Sequence, residues 1–261
     1  MTEPSLSDIL KILESLATPA GAAEWDNTGL ILEAPAARPV TSILLTLDLT
    51  AGVAREALAL GANLIVAYHP PIFSGIRRMV RADPVTAPLL DLLAANVSVY
   101  SPHTALDAAP DGMSDWLANR FDALAEGPID GSGRHLILRN PLTPYALGRL
   151  LQEKLALPYL RQALSPCGAA EIRSLALCPG AGASVLAGED VDAVVTGEMK
   201  HHDLLAFTRR GVHVFISEHS HTERPYLSVF RKHLMDRLPE GVSVTLSQQD
   251  RDPVSLVTHH A

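Results

Sequence analysis

Short apolar runs with β-strand character alternate along the chain with longer segments whose apolar residues recur at helical spacing. The run SILLTLDL at residues 42–49 precedes the helical pattern GVAREALALGA, and NLIVAYHPPIF follows it. A second helix-to-strand step leads from TAPLLDLLAAN to VSVYSPH. This alternation is typical of a mostly parallel sheet flanked by helices. We therefore predict an α/β fold.

One stretch interrupts this rhythm and indicates a domain boundary. The segment EGPIDGSG at residues 126–133 is rich in Gly, with Pro and Asp, which favour turns and linkers. The apolar runs that follow it make a compact α/β pattern without a polar cluster, and the main pattern resumes at DAVVTG. We predict a main α/β domain from residues 1–125 and 192–261, with a smaller α/β domain, residues 126–191, inserted into it.

Three apolar strands from distant parts of the chain each end in a histidine. LIVAYH ends at His69, VSVYSPH ends at His103, and VHVFISEH ends at His219. A carboxylate lies four residues after two of them, Asp107 after His103 and Glu223 after His219. Because parallel strands deliver their carboxyl ends to one edge of a sheet, we expect these five side chains to converge.

Imidazoles mixed with carboxylates suit a borderline divalent cation such as Zn, Mn, Fe or Ni. Two carboxylates could also bridge a pair of metal ions, an arrangement that activates water and binds an oxygen-rich substrate. Simpler interpretations stay open at this point. Asp107 could initiate the turn DAAPDG, and Glu223 could be an ordinary glutamate in the first turn of a helix.

A further polar group follows the strand DAVVTG. Glu198, His201 and His202 begin the next helix, where the backbone amides could hold an anion or the side chains could simply be solvated. Upstream, the turn WDNTGL contains Asp26 and Asn27, which could line the cleft beyond the sheet edge where the strand ends converge.

Composition narrows the functional class. The 261 residues carry a formal net charge of −8, whereas a duplex-binding domain needs clustered Lys and Arg, so nucleic-acid binding is disfavoured. Two cysteines cannot form a disulfide framework. The acidic, amphipathic N-terminus is unlike a signal peptide, and no uncharged apolar run reaches membrane-spanning length. We expect a cytoplasmic protein.

Several blocks together resemble the NIF-three-like family, also known as GTP cyclohydrolase I type 2 homologues. The blocks WDNTGL, YHPPIF, SPHTALD, VVTGEMKHHD and SEHSHTERPYL occur in the family's order over essentially the whole chain. The resemblance implies a two-domain α/β protein with a dinuclear metal centre, often assembled as a toroidal homohexamer. The family's metal ligands fall on His69, His103, Asp107, His219 and Glu223. One departure is Tyr68, which stands where many bacterial members have a second histidine.

Two functions follow as expectations. The first is a hydrolase that binds one or two divalent ions (Zn, Fe, Mn or Ni) and acts on a nucleotide-like or phosphorylated small molecule, with Glu198 or His202 relaying protons. The second is a metal-binding regulatory or protein-interaction scaffold without turnover. Open coordination positions in a substrate-sized cleft would favour the hydrolase.

Overall fold

Two β-sheets carry the structure, and each belongs to a different unit of the chain. The computed structural model describes residues 3–36 and 38–257. Among these, the first unit takes residues within Met1–Ile12, Asn27–Pro102 and Leu234–Ala261, and the second takes Leu13–Asp26 and His103–His233. Each unit has its own cluster of buried apolar side chains.

The helices and strands alternate through most of the chain, as the apolar pattern predicts. In chain order they are α1 (Leu6–Leu16), β1 (Gly29–Leu32), β2 (Ser42–Thr46), α2 (Ala51–Leu60), β3 (Leu64–Ala67), α3 (Thr86–Ala94), β4 (Ser98–Ser101), α4 (His103–Ala108), α5 (Met113–Ala118), β5 (Ala123–Ile129), β6 (Gly133–Leu142), α6 (Pro144–Lys154), β7 (Arg161–Ala163), β8 (Ile172–Cys178), α7 (Ala183–Leu186), β9 (Ala193–Thr196), α8 (His201–Arg209), β10 (His213–Ile216), α9 (Tyr226–Met235) and β11 (Ser243–Leu246). Short 3-10 turns lie at Pro19–Gly21 and His219–Thr222.

The sheet of the first unit has the strand order β1-β4-β3-β2-β11. Among the described residues of this sheet, the β1–β4 pairing alone is antiparallel. All residues of β3 and β4 are buried, as expected for parallel strands covered on both faces. Helix α2 between β2 and β3 is capped by the Thr50 side chain and ends at Gly61 in a left-handed conformation.

The sheet of the second unit has the order β5-β6-β8-β9-β10-β7 and mixed pairing. The β8–β9 and β9–β10 pairs are parallel, whereas β5, β6 and β7 pair antiparallel. The α/β class predicted from the sequence is therefore present, and the mostly parallel character holds for the first sheet.

The strand pairing divides the chain differently from the linker-based partition. That partition groups residues 192–261 with residues 1–125 in the main domain and assigns residues 126–191 to the inserted domain. In the structure β9 and β10 pair with β8 of the second sheet, whereas β11 returns to the first sheet beside β2. Composition marks where a chain turns, but the choice of a strand's neighbour depends on contacts distant in sequence.

Among residues 3–36 and 38–257, no helix combines the length and the apolar character that crossing a lipid bilayer requires.

Candidate metal centre

His219 and Glu223 form the centre of the site in the second unit. The chain leaves β10 and enters the 3-10 turn His219–Thr222 through Glu218, whose backbone angles (φ 76, ψ 152) are normally confined to glycine. Such strain concentrates at functional sites, where the surrounding structure enforces it. In this turn Nε2 of His219 lies 3.2 Å from Oε1 of Glu223. The Glu223 side chain is only 2% exposed, so it is not an ordinary solvated first-turn glutamate.

The His219 ring lies between two carboxylates. Its Nδ1 is 3.1 Å from Oε1 of Glu198, and a carboxylate can only accept, so Nδ1 carries the proton. Nε2 then presents a lone pair toward the oxygen of Glu223. The short distance between these two acceptors becomes favourable only when a proton or a metal cation lies on Nε2. His219 and Glu223 could therefore hold a metal ion.

Strand register explains why these groups meet. Cys178, Thr196 and Ile216 are aligned across the parallel strands β8, β9 and β10. The residues just beyond this row are Gly180, Glu198 and His219, so the three strands deliver them to the same edge of the sheet. The carboxyl ends of adjacent parallel strands thus meet at one edge of the second sheet, as predicted from the strand ends.

Glycine at position 180 leaves room for the Glu223 carboxylate and the His219 imidazole. Gly180 adopts a positive φ of +60, and a Cβ built there would lie 3.1 Å from Nε2 of His219 and closer still to Oε1 of Glu223. Its amide donates to the Thr222 hydroxyl at 2.9 Å, and its carbonyl accepts from the amide of Glu198 at 3.0 Å. The backbone of this loop therefore packs directly against the His219–Glu223 pair.

Asp107 brings a second buried carboxylate into the same region. It lies in α4, is buried, and its backbone carbonyl accepts a hydrogen bond of 3.3 Å from Arg134. Burial raises the pKa of the Cys178 thiol, and the negative charges of Asp107 and Glu223 act in the same direction. Asp107 is consequently part of a helix rather than the initiator of an exposed turn. A cation would offset this concentration of buried negative charge.

His103 begins α4 and is held by the carboxylate of Asp26, a residue expected from the sequence to line the cleft. Its Nδ1 lies 2.7 Å from Oδ1 of Asp26, and the amide and hydroxyl of Thr104 donate to the other oxygen at 3.1 and 2.5 Å. Burial acts to raise the pKa of Asp26, but these hydrogen bonds outweigh it and the pKa is lowered. Asp26 therefore stays ionised and keeps the proton on Nδ1. The His103 backbone has a φ of 28, a second strained position at a predicted ligand.

His69 follows β3 in the first unit and has the same kind of partner. Its Nδ1 lies 2.8 Å from Oδ1 of Asp48. In the parallel pair β2–β3, Thr46 is opposite Ala67, so Asp48 and His69 each follow the paired ends by two residues. The preceding residue, Tyr68, is buried, and its ring centroid lies 4.8 Å from that of His69. Its carbonyl accepts from the Ser101 hydroxyl at 2.7 Å.

The three predicted histidine ligands thus share one arrangement, in which Nδ1 is bonded to a carboxylate. Asp48 holds His69, Asp26 holds His103, and Glu198 holds His219. Histidines that bind metals usually have their second nitrogen fixed by such an acceptor. Asp48 was not predicted from the sequence, although it follows a strand end as His69 does. The strand-end rule identifies it when acids are considered as well as imidazoles.

The two residues predicted to relay protons lie in different surroundings. Glu198 contacts His219, as described above. His202 lies in the first turn of α8, is exposed, and its ring is 5.4 Å from the ring of His201 in a nearly perpendicular orientation.

Comparisons with known proteins identify the family and agree with this fold. A family model described as Duf34/NIF3 (NGG1p interacting factor 3) matches residues 4–253. The chain is 40% identical to "Protein NIF3 homolog" of Schizosaccharomyces pombe over 95% of this chain and 97% of that protein. It is 35% identical to "NGG1-interacting factor 3" of Saccharomyces cerevisiae over 89% of this chain and 90% of that protein.

A solved structure also matches in fold. The Bacillus cereus protein related to NIF3 superposes with a TM-score of 0.84 at 18% identity, covering 98% of this chain and 100% of that chain. At this identity the likeness concerns the fold alone.

Proposed function

The chain belongs to the Duf34/NIF3 family, and from this premise we propose that it is a metal-dependent hydrolase. The proposed substrate is a phosphorylated or nucleotide-like small molecule. The observation that carries the proposal is the shared orientation of three histidines, each with Nδ1 on a carboxylate. The second ring nitrogen of a metal-binding histidine is usually fixed by such an acceptor, and all three predicted ligands have one.

The donor set fits one or two divalent cations of the Zn, Fe, Mn or Ni type. The proposed donors are three imidazoles and two carboxylates. Nitrogen and carboxylate donors in this ratio suit borderline cations. A bound cation would supply Lewis acidity toward a phosphoryl or carbonyl oxygen. The proposed ligands are His69, His103, Asp107, His219 and Glu223.

The remaining residues have positioning and proton-handling roles. Glu198 keeps the proton on Nδ1 of His219 and fixes the direction of its Nε2. Asp26 does the same for His103 and is itself held ionised by Thr104. Exposed His202, in the first turn of α8, is proposed to exchange protons between the reacting group and solvent.

A second candidate function is supported by the relatives' names. The yeast relative is called an interacting factor, so the chain could serve as a metal-binding regulatory or interaction scaffold without turnover. In that case metal binding would persist, but no substrate would be converted. The resemblance also supports a toroidal homohexamer, and the acidic chain with only two cysteines supports a cytoplasmic location.

The test begins with metal analysis of the full chain after reconstitution with each divalent ion. We expect His219→Ala and Glu223→Gln to lose at least one equivalent of metal. His135→Ala is the matched control, because His135 also pairs its Nδ1 with a carboxylate, Glu189 at 3.3 Å, but is not a proposed ligand. Metal content should be unchanged in this control.

The second measurement is turnover of a panel of phosphate esters and nucleotides by the metal-loaded protein. Hydrolysis that disappears in Glu223→Gln would support the hydrolase. Metal retention in both site variants would contradict the metal centre itself. Metal binding without turnover of any panel compound would reject the hydrolase and leave the scaffold.

A further inference from the structure

The turn that carries Trp25 is fastened firmly to the start of α4. The Ala23 amide donates to the Thr104 hydroxyl at 3.0 Å, and the Asp26 amide donates to the Ala23 carbonyl at 3.0 Å. Asp26 in turn receives hydrogen bonds from His103 and Thr104. Trp25 therefore lies between two anchored residues, which hold its backbone in place.

The side chain of Trp25 is nevertheless 65% exposed. The other tryptophan, Trp116, is only 8% exposed, with its ring 5.9 Å from that of Tyr226 and the Arg120 guanidinium 4.7 Å above it. The second unit thus buries one indole within its own packing and presents the other to solvent. Leaving a large apolar ring exposed on a rigid turn forgoes the stabilisation that its burial would bring, and exposed aromatic anchors of this kind favour ligand binding.

The position of the exposed indole connects it with the proposed metal centre. The ring centroids of Trp25 and His103 are 6.1 Å apart, with an angle of 77° between the planes. Trp25 also directly precedes Asp26, the residue that orients His103. A ligand bound at Nε2 of His103 would therefore come within reach of the indole.

We propose that Trp25 is a stacking surface for a planar heteroaromatic ring, such as a purine, in the ligand of the metal centre. This inference rests on the proposed function and narrows its substrate class to molecules that carry such a ring beside the reacting group. Aromatic faces attract other flat rings through offset stacking, and base–aromatic stacking is tolerant of the base's identity. The indole therefore selects for a ring rather than for a particular substituent pattern.

The experiment uses the full-length, metal-loaded protein and calorimetric titration with three probes. These are a purine nucleoside monophosphate, ribose 5-phosphate and inorganic phosphate. In Trp25→Ala the affinity for the purine nucleotide should fall by about 5- to 150-fold. Its affinity for the two probes without a base should stay unchanged, and Trp25→Phe should retain most of the affinity for the nucleotide.

Two controls separate stacking from structural effects. Tyr145→Ala removes an aromatic ring that is 77% exposed on α6 and should leave all three affinities unchanged. The metal content of Trp25→Ala should equal that of the wild type. Loss of metal in this variant would show that the indole supports His103 structurally, and this result would overturn the stacking role.

The remaining outcomes distinguish this inference from the function on which it rests. If the wild type holds metal and binds ribose 5-phosphate as tightly as the nucleotide, the stacking surface is rejected and the proposed function survives. Equal nucleotide affinity in wild type and Trp25→Ala would likewise reject the stacking surface and leave the proposed function intact. If the wild type holds no metal, the proposed function fails, and the stacking surface is rejected with it.

Discussion

The variant Gly180→Ala tests whether the Gly180 loop determines the geometry of the His219–Glu223 pair. The new Cβ would lie less than 3.0 Å from Oε1 of Glu223, and Cβ atoms in proteins essentially never make contacts this short. Because Glu223 is 2% exposed, its carboxylate cannot withdraw freely into solvent. Metal–ligand distances tolerate deviations of only about 0.2 Å. A displacement of several tenths of an ångström would therefore disturb this ligand.

We expect metal affinity to fall by about 10- to 100-fold, or about 1.4–2.7 kcal/mol, the range seen when a ligand's orientation is disturbed. Alanine at a positive φ also costs about 1–2 kcal/mol of folding stability by itself. Gly61→Ala provides the matched control, since Gly61 has a φ of +64 but a Cβ there meets nothing within 4 Å. It should lose the same backbone stability without changing metal affinity.

The assay combines thermal unfolding of both variants with competition for metal against a chromophoric chelator. The two variants should show similar backbone destabilisation, while only Gly180→Ala should release metal to the competitor. If both variants bind metal as tightly as the wild type, the carboxylate moves without consequence and the argument from close packing is wrong. If both lose metal equally, the effect comes from general destabilisation.

Two further predictions concern carboxylates. Glu198→Gln should weaken metal binding by about 10- to 100-fold in the chelator assay, because a neutral amide holds the Nδ1 proton of His219 less strongly. Glu189→Gln is the control, since Glu189 pairs with His135. Unchanged metal affinity in Glu198→Gln would refute the orienting role. Glu56→Gln should lower the free energy of unfolding at pH 7 by less than about 1 kcal/mol, since residues 247–249 donate three hydrogen bonds to this partly exposed carboxylate. Burial acts to raise the pKa of Glu56, but these hydrogen bonds outweigh it and lower the pKa below 4.5. In denaturant titrations the wild type should therefore have a higher free energy of unfolding than Glu56→Gln above pH 4.5, and this difference should disappear as the pH falls through the lowered pKa of Glu56. A difference that does not vary with pH would contradict this prediction.

The strand-end histidines were predictable because the signal is local. An apolar run that stops at an imidazole is visible in the sequence, and parallel pairing then places neighbouring ends at one edge. Glu198 and His219 illustrate this, since β9 and β10 are adjacent and in register. The buried state of Asp107 and Glu223 was not predictable, because helix-initiating and turn-forming acids have the same local pattern.

The orienting partners were less accessible to sequence reasoning. Asp48 and His69 are 21 residues apart, and Asp26 and His103 are 77 residues apart. No spacing rule identifies such pairs, since they depend on which strands and turns become neighbours. The steric role of Gly180 was hidden for the same reason, because a plain strand-to-helix turn would also explain a glycine there.

The sequence by itself determined the α/β class, the family and which residues stand at the strand ends, because apolar periodicity and strand ends are encoded within short segments. The tertiary structure alone decided which acid holds which imidazole, that β9 and β10 join the second sheet, and that Trp25 stays exposed while Trp116 is buried. These outcomes depend on packing between segments far apart in the chain, and the free energy of such packing is not contained in any local pattern.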